Sequence, residues 1–475
     1  MGAVAVGGLA PPAVRSAYAQ TSPQVFGRMF PNLPPFAAAD DRVRDALRDI
    51  GRPGGLLDAQ DDLTAGPVRL ITDPALSANN PNNTTHTAGT TFMGQFLDHD
   101  MTFDTTSRLG VPTPPEQSPN GRTPSFDLDS VYGAGPIGSP RLYHPADRAK
   151  LRIESGGLFE DLPRDSTTTA IIADPRNDEN LMIAGLHAAV ILFHNNAVDL
   201  VRSQNRTIGT GAAFLSARRL TTWHYHWLIL KEFLPLFAGQ AMVDDVLRRG
   251  RRFYRPPRGG GFIPVEFQGA AYRFGHSMVR PSYRANRTGD PGGNPDTGAP
   301  QFFGFIFDPA GEGQTDPVDL RGHARASRRF IGWETFFNFG DGEVRPNKLI
   351  DTNLSTPLFN LPLGTLPDGS PPTALPQRNL LRALTWSIPS GQAIAQAMGV
   401  TRLRPSDLGE LAPYGPQFQR STPLWYYVLK EAELLAGGLT LGPVGGRIVA
   451  EVFLGLLQTD PGSWVATQPS FKPTL

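Results

Sequence analysis

Apolar residues recur at helical spacing in several separated stretches, and few alternate with polar ones as strands require. From Thr91 to Thr102, Phe92, Phe96 and Leu97 flank polar Gln95, Asp98 and His99, which predicts a helix with one apolar face. Asp174-Pro175 reads as a helix start, an acidic cap followed by proline in the first turn. The helix it opens runs through Leu181, Leu186, Val190 and Phe193 to about Leu200. Further helices are predicted over Phe214–Leu236, Ala270–Val279, Tyr426–Leu435 and Val444–Leu457. Proline-rich punctuation falls at 31–36, 111–119, 255–264 and 361–376. Strand signals are few and short, and no repeat recurs at a period of roughly 20–50 residues. The expected class is mainly α, with long Pro/Gly-rich loops between the helices.

Composition sharpens this. Glycine (51) and proline (46) make up about a fifth of the 475 residues, more than a bundle with short loops needs. The 40% hydrophobic content is enough for a large core, and length alone suggests about two to four domains. Lys plus Arg and Asp plus Glu are each 44, so the chain is neutral. A dedicated nucleic-acid binder would carry excess positive charge. The local exception, six arginines between Arg248 and Arg258, contains Gly250, Pro256 and Pro257 and reads as a solvated loop. Cysteine is absent. That excludes disulfides, thiolate zinc sites, iron–sulfur clusters and cysteine nucleophiles.

No apolar run reaches the roughly eighteen residues of a transmembrane helix. The longest candidate, Leu181–Phe193, carries His187 and reads as a buried helix. Residues 1–22 are either an N-terminal arm or a remnant signal segment. Ala17-Tyr18-Ala19 looks like a signal-peptidase site, but no basic residue precedes Ala3–Ala10, and Pro11-Pro12 interrupts. A secreted or periplasmic location and a cytoplasmic one both stay open.

Four segments carry candidate chemistry. In Gly94-Gln95-Phe96-Leu97-Asp98-His99-Asp100, positions 95, 98 and 99 share one helix face, where polar groups are costly to bury without partners. In Asp174-Pro175-Arg176-Asn177-Asp178-Glu179-Asn180, Arg176 and Glu179 are three apart in a first helical turn. In Tyr272-Arg273-Phe274-Gly275-His276, Gly275 lets something bulky approach beside His276, with Arg273 one turn back. The stretch Thr123 to Gly133 offers oxygen ligands at Thr123, Ser125, Asp127 and Asp129, which suits a hard cation such as calcium. It is not an EF-hand, because the glycine and the terminal glutamate are missing.

In this order the segments resemble the animal-type haem peroxidase superfamily, the peroxidase–cyclooxygenase group, and its bacterial members in particular. Gly94–Asp100 resembles the family's distal helix, Asp174–Asn180 its catalytic-arginine segment and Arg273–His276 its proximal helix. Leu375–Arg382 and Leu441–Ala450 also resemble family segments, so the likeness spans roughly 90–460. The resemblance implies one large helical haem-peroxidase domain over 23–475 in place of several.

It also implies haem b as cofactor, with His276 as proximal iron ligand and Asn379 orienting its other ring N–H. His99 would be the distal base, Arg176 would stabilise charge as the O–O bond breaks, and Gln95 would hydrogen-bond water or halide. Arg382 and Arg273 would sit near the propionates or the proximal side. Asp98 and Glu179 match the carboxylates that esterify haem methyls in animal relatives, which allows covalent attachment. Where some members place a sulfonium-forming methionine, this chain has Asn180, so that link is not expected. Asp100, Thr123, Ser125, Asp127 and Asp129 would hold Ca2+. The implied partners are hydrogen peroxide and a halide, pseudohalide or small organic donor.

The nearest rival is a cyclooxygenase-like fatty-acid dioxygenase, whose radical tyrosine lies three residues before the proximal histidine. Here that position is Arg273; Tyr225-His226-Trp227 lies far upstream and reads as aromatic core. A non-catalytic calcium-stabilised scaffold would be favoured if His99, Arg176 or His276 were missing, and all are present. A zinc hydrolase on His224 and His226 fails, since residues two apart cannot share a helix face and no third ligand is evident.

Overall fold

The computed structural model describes residues 24–155, 159–257, 260–287, 301–363, 366, 369 and 371–473. The alternatives for residues 1–22 lie outside the described residues, as does Arg258. Helices dominate. Those that position the site are α1 (Asp41–Ile50), α2 (Ala88–Met101), α3 (Leu181–Gln204), α4 (Thr210–Leu228), α5 (Leu375–Thr385), α6 (Leu424–Ala436) and α7 (Pro443–Thr459). Among the described residues the strands form three antiparallel ribbons: β1 (Asn82–Thr87) with β6 (Pro346–Lys348), β2 (Glu154–Ser155) with β3 (Glu160–Asp161), and β4 (Ser282–Asn286) with β5 (Phe302–Phe305). The mainly α expectation holds.

Helix α7 buries Val444, Ile448, Val449, Val452, Phe453, Leu456 and Leu457, so it lies in the core. Its start is closed from α6: the Glu431 carboxylate accepts from the backbone N–H of Val444 (2.9 Å) and Gly445 (3.2 Å). Helix α3 is the one helix among the described residues long and apolar enough to cross a membrane by length and composition. Its buried residues include His187 and His194 as well as Met182, Ile183 and Val198, the signature of a core helix.

Three predicted elements differ from expectation, each for a local reason. The helix expected from Asp174-Pro175 is a 3-10 turn over Pro175–Asp178, after which α3 starts afresh at Leu181. Asn180 is extended (φ −147°, ψ 162°), and its side chain caps the new helix by accepting from Ile183 N. Residues 320–322 hold it there: Leu181 N donates to Leu320 O and Gly322 N to Glu179 O, both at 2.9 Å. The helix expected over Ala270–Val279 is a 3-10 segment, Ala271–His276. Gly269 and Gly275 weaken an α-helix there, and Pro281 stops it. The helix expected over Phe214–Leu236 becomes α4, a π segment over Ile229–Phe233 and a short helix over Leu234–Ala238. Pro235 lacks the N–H that a continuous α-helix would need.

Candidate active site

Helix α2 packs Phe92, Phe96 and Leu97 into the core and turns Gln95, Asp98 and His99 toward one cavity. Arg176 and Glu179 enter the same cavity from the 3-10 turn before α3. Phe274, Gly275 and His276 line it too, as do Arg273, Arg378 and Arg382. The space open to the centre of a water molecule is about 260 Å³. Residues 99, 176 and 276, far apart in sequence, therefore meet around one chamber.

His99 sits within a defined network. Its Nδ1 lies 2.9 Å from Asn177 Oδ1, and Asn177 Nδ2 lies 3.0 Å from His187 Nδ1. This leaves Nε2 toward the cavity, 3.6 Å from Glu179 Oε1. Burial, reinforced by the Arg176 charge, pulls His99 down to about 3, so it is neutral and the Glu179 contact is not an ion pair. Glu179 is pushed up to about 8 by burial, against the pull of Arg176. Asp98 is likewise raised by burial.

Arg176 is gripped from behind. Its Nε and Nη2 donate to the two Asp174 carboxylate oxygens at 3.0 and 2.7 Å, and Nη2 also donates to the Thr102 carbonyl at 2.6 Å. The guanidinium lies over the Phe103 ring at 4.4 Å. Nη1 is 4.0 Å from Asp98 Oδ2 and lacks such a clamp. Gln95 donates to Glu179 and accepts from Asn180 Nδ2 at 3.2 Å, which fixes its amide.

On the opposite wall, His276 Nδ1 and Asn379 Nδ2 are 2.8 Å apart, and Arg273 Nη1 donates to Asn379 Oδ1 at 3.2 Å. In a 3-10 helix residues three apart eclipse, which is why Arg273 and His276 reach the same asparagine. Burial, then the Arg273 charge, lowers His276 to about 3 and keeps it neutral. Arg382 donates to Asp104 (2.8 Å) and Ser107 at the cavity edge.

These residues fit a haem. A neutral histidine with one nitrogen held by an amide offers the other to a metal. A Cβ added at Gly275 would meet nothing within 4 Å, so the space beside His276 is open. Arg273, Arg378 and Arg382 supply cations for carboxylates. Were His276 Nε2 to hold an iron, Nδ1 would carry the ring proton, and the Asn379 amide would have to present Oδ1 there in place of Nδ2, giving up its bond from Arg273.

The oxygen ligands read from 123–129 come together only in part. Asp100, Asp127 and Asp129 place carboxylate oxygens within 4.8 Å of one another, the one such group among the described residues. Burial and the neighbouring carboxylates raise Asp100 well above its usual range, and burial with the Asp129 charge pushes Asp127 up to about 7. Asp129 Oδ1 is buried without a hydrogen-bond partner. Uncompensated acidic oxygens suit a cation. The loop turns sharply here: Leu128 is left-handed (φ 59°) and Asp129–Tyr132 is a helical turn. Thr123 accordingly meets Asp129 through its backbone N–H, at 3.0 Å, while Ser125 Oγ donates to Asp460 at 3.2 Å. His226 Nε2 lies against Phe126 O and His224 Nδ1 against Leu220 O, so no zinc pair forms.

Sequence reasoning missed Asn177, His187, Asp174, Arg378 and Tyr225. The Tyr225 hydroxyl donates to Asp100 Oδ2 at 3.2 Å, so it serves the carboxylate cluster besides packing in the core.

Residues 104–303, which include Arg176, Glu179 and His276, match the family model described as animal haem peroxidase. That stretch is similar to an animal haem peroxidase domain. Among curated relatives, probable oxidoreductase PXDNL of Homo sapiens is 26% identical over 223 residues, 43% of this chain and 15% of that protein. Thyroid peroxidase of Mus musculus is 24% identical over 194 residues, 37% of this chain and 21% of the relative. The matched stretch is thus a small part of each superfamily relative's length. Peroxidase A of Dictyostelium discoideum superposes with a TM-score of 0.59 at 16% identity, covering 93% of this chain and 88% of that one. A fatty acid alpha-dioxygenase of Arabidopsis thaliana gives 0.59 at 16%, covering 93% and 73%. Both branches of the superfamily share this fold, so architecture alone does not choose between peroxidase and dioxygenase.

Proposed function

We propose that the protein is a haem peroxidase that reduces hydrogen peroxide and oxidises a halide, pseudohalide or small organic donor. The observation that carries this is that two neutral histidines, His99 and His276, line one cavity, with the Arg176 charge acting on His99. When bound, haem supplies a redox-active iron that takes oxidising equivalents from peroxide and passes them to the donor. His276 would hold the iron, with Asn379, 2.8 Å from its Nδ1, orienting the ring. His99 Nε2 takes the proton from the inner oxygen of incoming peroxide and returns it to the outer one. Arg176, clamped by Asp174, directs Nη1 at the charge that develops on the departing oxygen. Gln95 orders water or halide beside them.

Arg273, Arg378 and Arg382 face the haem carboxylates. Asp98 and Glu179 are the attachment points for ester bonds to haem methyls. Asp100, Thr123, Ser125, Asp127 and Asp129 hold Ca2+, which stiffens the end of α2 next to His99. The dioxygenase reading lacks its tyrosine: position 273 is arginine, and the hydroxyl of adjacent Tyr272 donates to the Gly94 carbonyl at 3.0 Å.

The test is an absorption spectrum of the haem-supplied protein before and after one equivalent of peroxide. An intense Soret band that shifts on addition is expected. His99→Ala should keep the band but react with peroxide about 100-fold to 10,000-fold more slowly, the usual size of a general-base effect. No Soret band in a folded protein, or an unchanged rate in the variant, would sink the reading.

A further inference from the structure

His99 can act as a base only in one of its two neutral tautomers, with the proton on Nδ1 and the lone pair on the cavity-facing Nε2. We propose that Asn177 and His187 are a positioning pair that fixes this tautomer, an inference that rests on the distal role given to His99 above. Asn177 lies between the two rings, 2.9 Å from His99 Nδ1 through Oδ1 and 3.0 Å from His187 Nδ1 through Nδ2. All three side chains are buried: His99 is 4% exposed, Asn177 0% and His187 1%.

A primary amide has one accepting and one donating end, so it couples its two neighbours. When Oδ1 faces His99, that ring must carry its proton on Nδ1. The Nδ2 end then donates to His187 Nδ1, whose ring must carry its proton on Nε2. Turning the amide over reverses both tautomers together and caps His99 Nε2 with hydrogen, which disables it as a proton acceptor. An intermediate setting leaves a buried donor or acceptor unpaired, which burial penalises.

The amide is held from its backbone. Asn177 sits inside the 3-10 turn Pro175–Asp178, where its own N–H donates to Asp174 O at 3.0 Å. The next residue, Asp178, takes two hydrogen bonds from Arg164, at 2.6 and 2.8 Å. His187 is fixed on α3 with the Phe96 ring edge-on at 6.4 Å. The pair therefore acts on His99 from behind, through Nδ1, and touches neither peroxide nor donor.

The measurement is long-range proton–nitrogen NMR on the full-length chain labelled with 15N-histidine, in its diamagnetic reduced carbon monoxide form where haem is bound. His99→Gln and His187→Gln spectra assign the two rings among the nine histidines. The expected result is a proton on Nδ1 of His99 and on Nε2 of His187. Asn177→Asp, which accepts at both ends, should leave His99 as it is and move the His187 proton to Nδ1. Asn177→Leu should leave His99 as a mixture of tautomers and slow the peroxide reaction tenfold or more with the Soret band unchanged.

A proton on His99 Nε2 in the unaltered chain would overturn the proposal. So would a His187 ring indifferent to Asn177→Asp. Should the leucine variant fail to fold, the unaltered and aspartate forms still decide it. A chain that binds no haem yet shows the coupled tautomers would overturn the peroxidase reading and leave this inference standing.

Discussion

The Tyr272 hydroxyl donates to the Gly94 carbonyl at 3.0 Å, tying the segment that carries His276 to the helix that carries His99. The phenol lies flat against Phe267, ring centroids 4.7 Å apart. The two walls of the cavity thus share a direct strut. Tyr272→Phe keeps the ring packing and removes the strut, so it should cost about 1 kcal/mol in urea unfolding. Its larger effect should be a broadened Soret band in the haem-loaded protein. Equal stability and an identical spectrum would show that the strut sets nothing.

Chelation of divalent ions should lower the melting temperature, and added calcium should restore it. The reason is the packed trio Asp100, Asp127 and Asp129, in which Asp129 Oδ1 has no hydrogen-bond donor and Arg122 Nη1 comes no closer than 3.7 Å. A site at 100 times its dissociation constant adds about 2.7 kcal/mol. Asp127→Asn should abolish the calcium response, read by calorimetry. A variant that still responds would move the cation elsewhere.

Gly322 has almost no room beside the distal turn. A Cβ there would come 1.5 Å from the Asp178 carbonyl. Gly322→Ala should therefore push residues 320–323 away from 178–181 and destabilise the fold by roughly 3 kcal/mol, in the range of overpacked cores. The His323–Asp178 contact at 3.1 Å should be lost with it. Unchanged chemical unfolding would mean that this strap yields without cost.

Glu431 should make stability fall with rising pH. Burial pushes its carboxyl up to about 7 from a usual 4.5, so between those values the folded chain holds a proton that the unfolded chain releases. The contribution is complete below about pH 4.5 and is lost as pH climbs through 7, at no more than about 1.4 kcal/mol per pH unit. Glu431→Gln keeps an oxygen for Val444 and Gly445 and should flatten that slope in urea titrations from pH 5 to 8. A slope identical in both proteins would assign it to another group.

Much of the site was legible because helical spacing is local. Gln95, Asp98 and His99 share the face that residues three and four apart must share, and the structure turns that face to the cavity. The family likeness pointed to Arg176 and His276, which line that cavity, and to Asn379, which contacts His276. What sequence could not carry was backbone type. Asp174-Pro175 has the chemistry of an α-helix start, but residues 320–322, about 145 positions away, pair with 179–181 and draw Asn180 out of the helix. The His276 segment was likewise expected to be α-helical and is 3-10. Asn177 escaped notice because nothing in its own neighbourhood reveals that two distant imidazoles flank it.

The carboxylate cluster and the two-walled cavity differ in how far the chain must travel to build them. Asp100 and Asp129 are 29 positions apart, whereas His99 and His276 are 177 apart. The shorter loop closes at a smaller entropic cost and on a faster clock. On the reading proposed above, the carboxylates offered to an ion are all made when little more than a quarter of the chain has emerged, while a pigment would have nowhere to lodge until His276 arrives. The mineral would then be an early passenger and the porphyrin a late rivet.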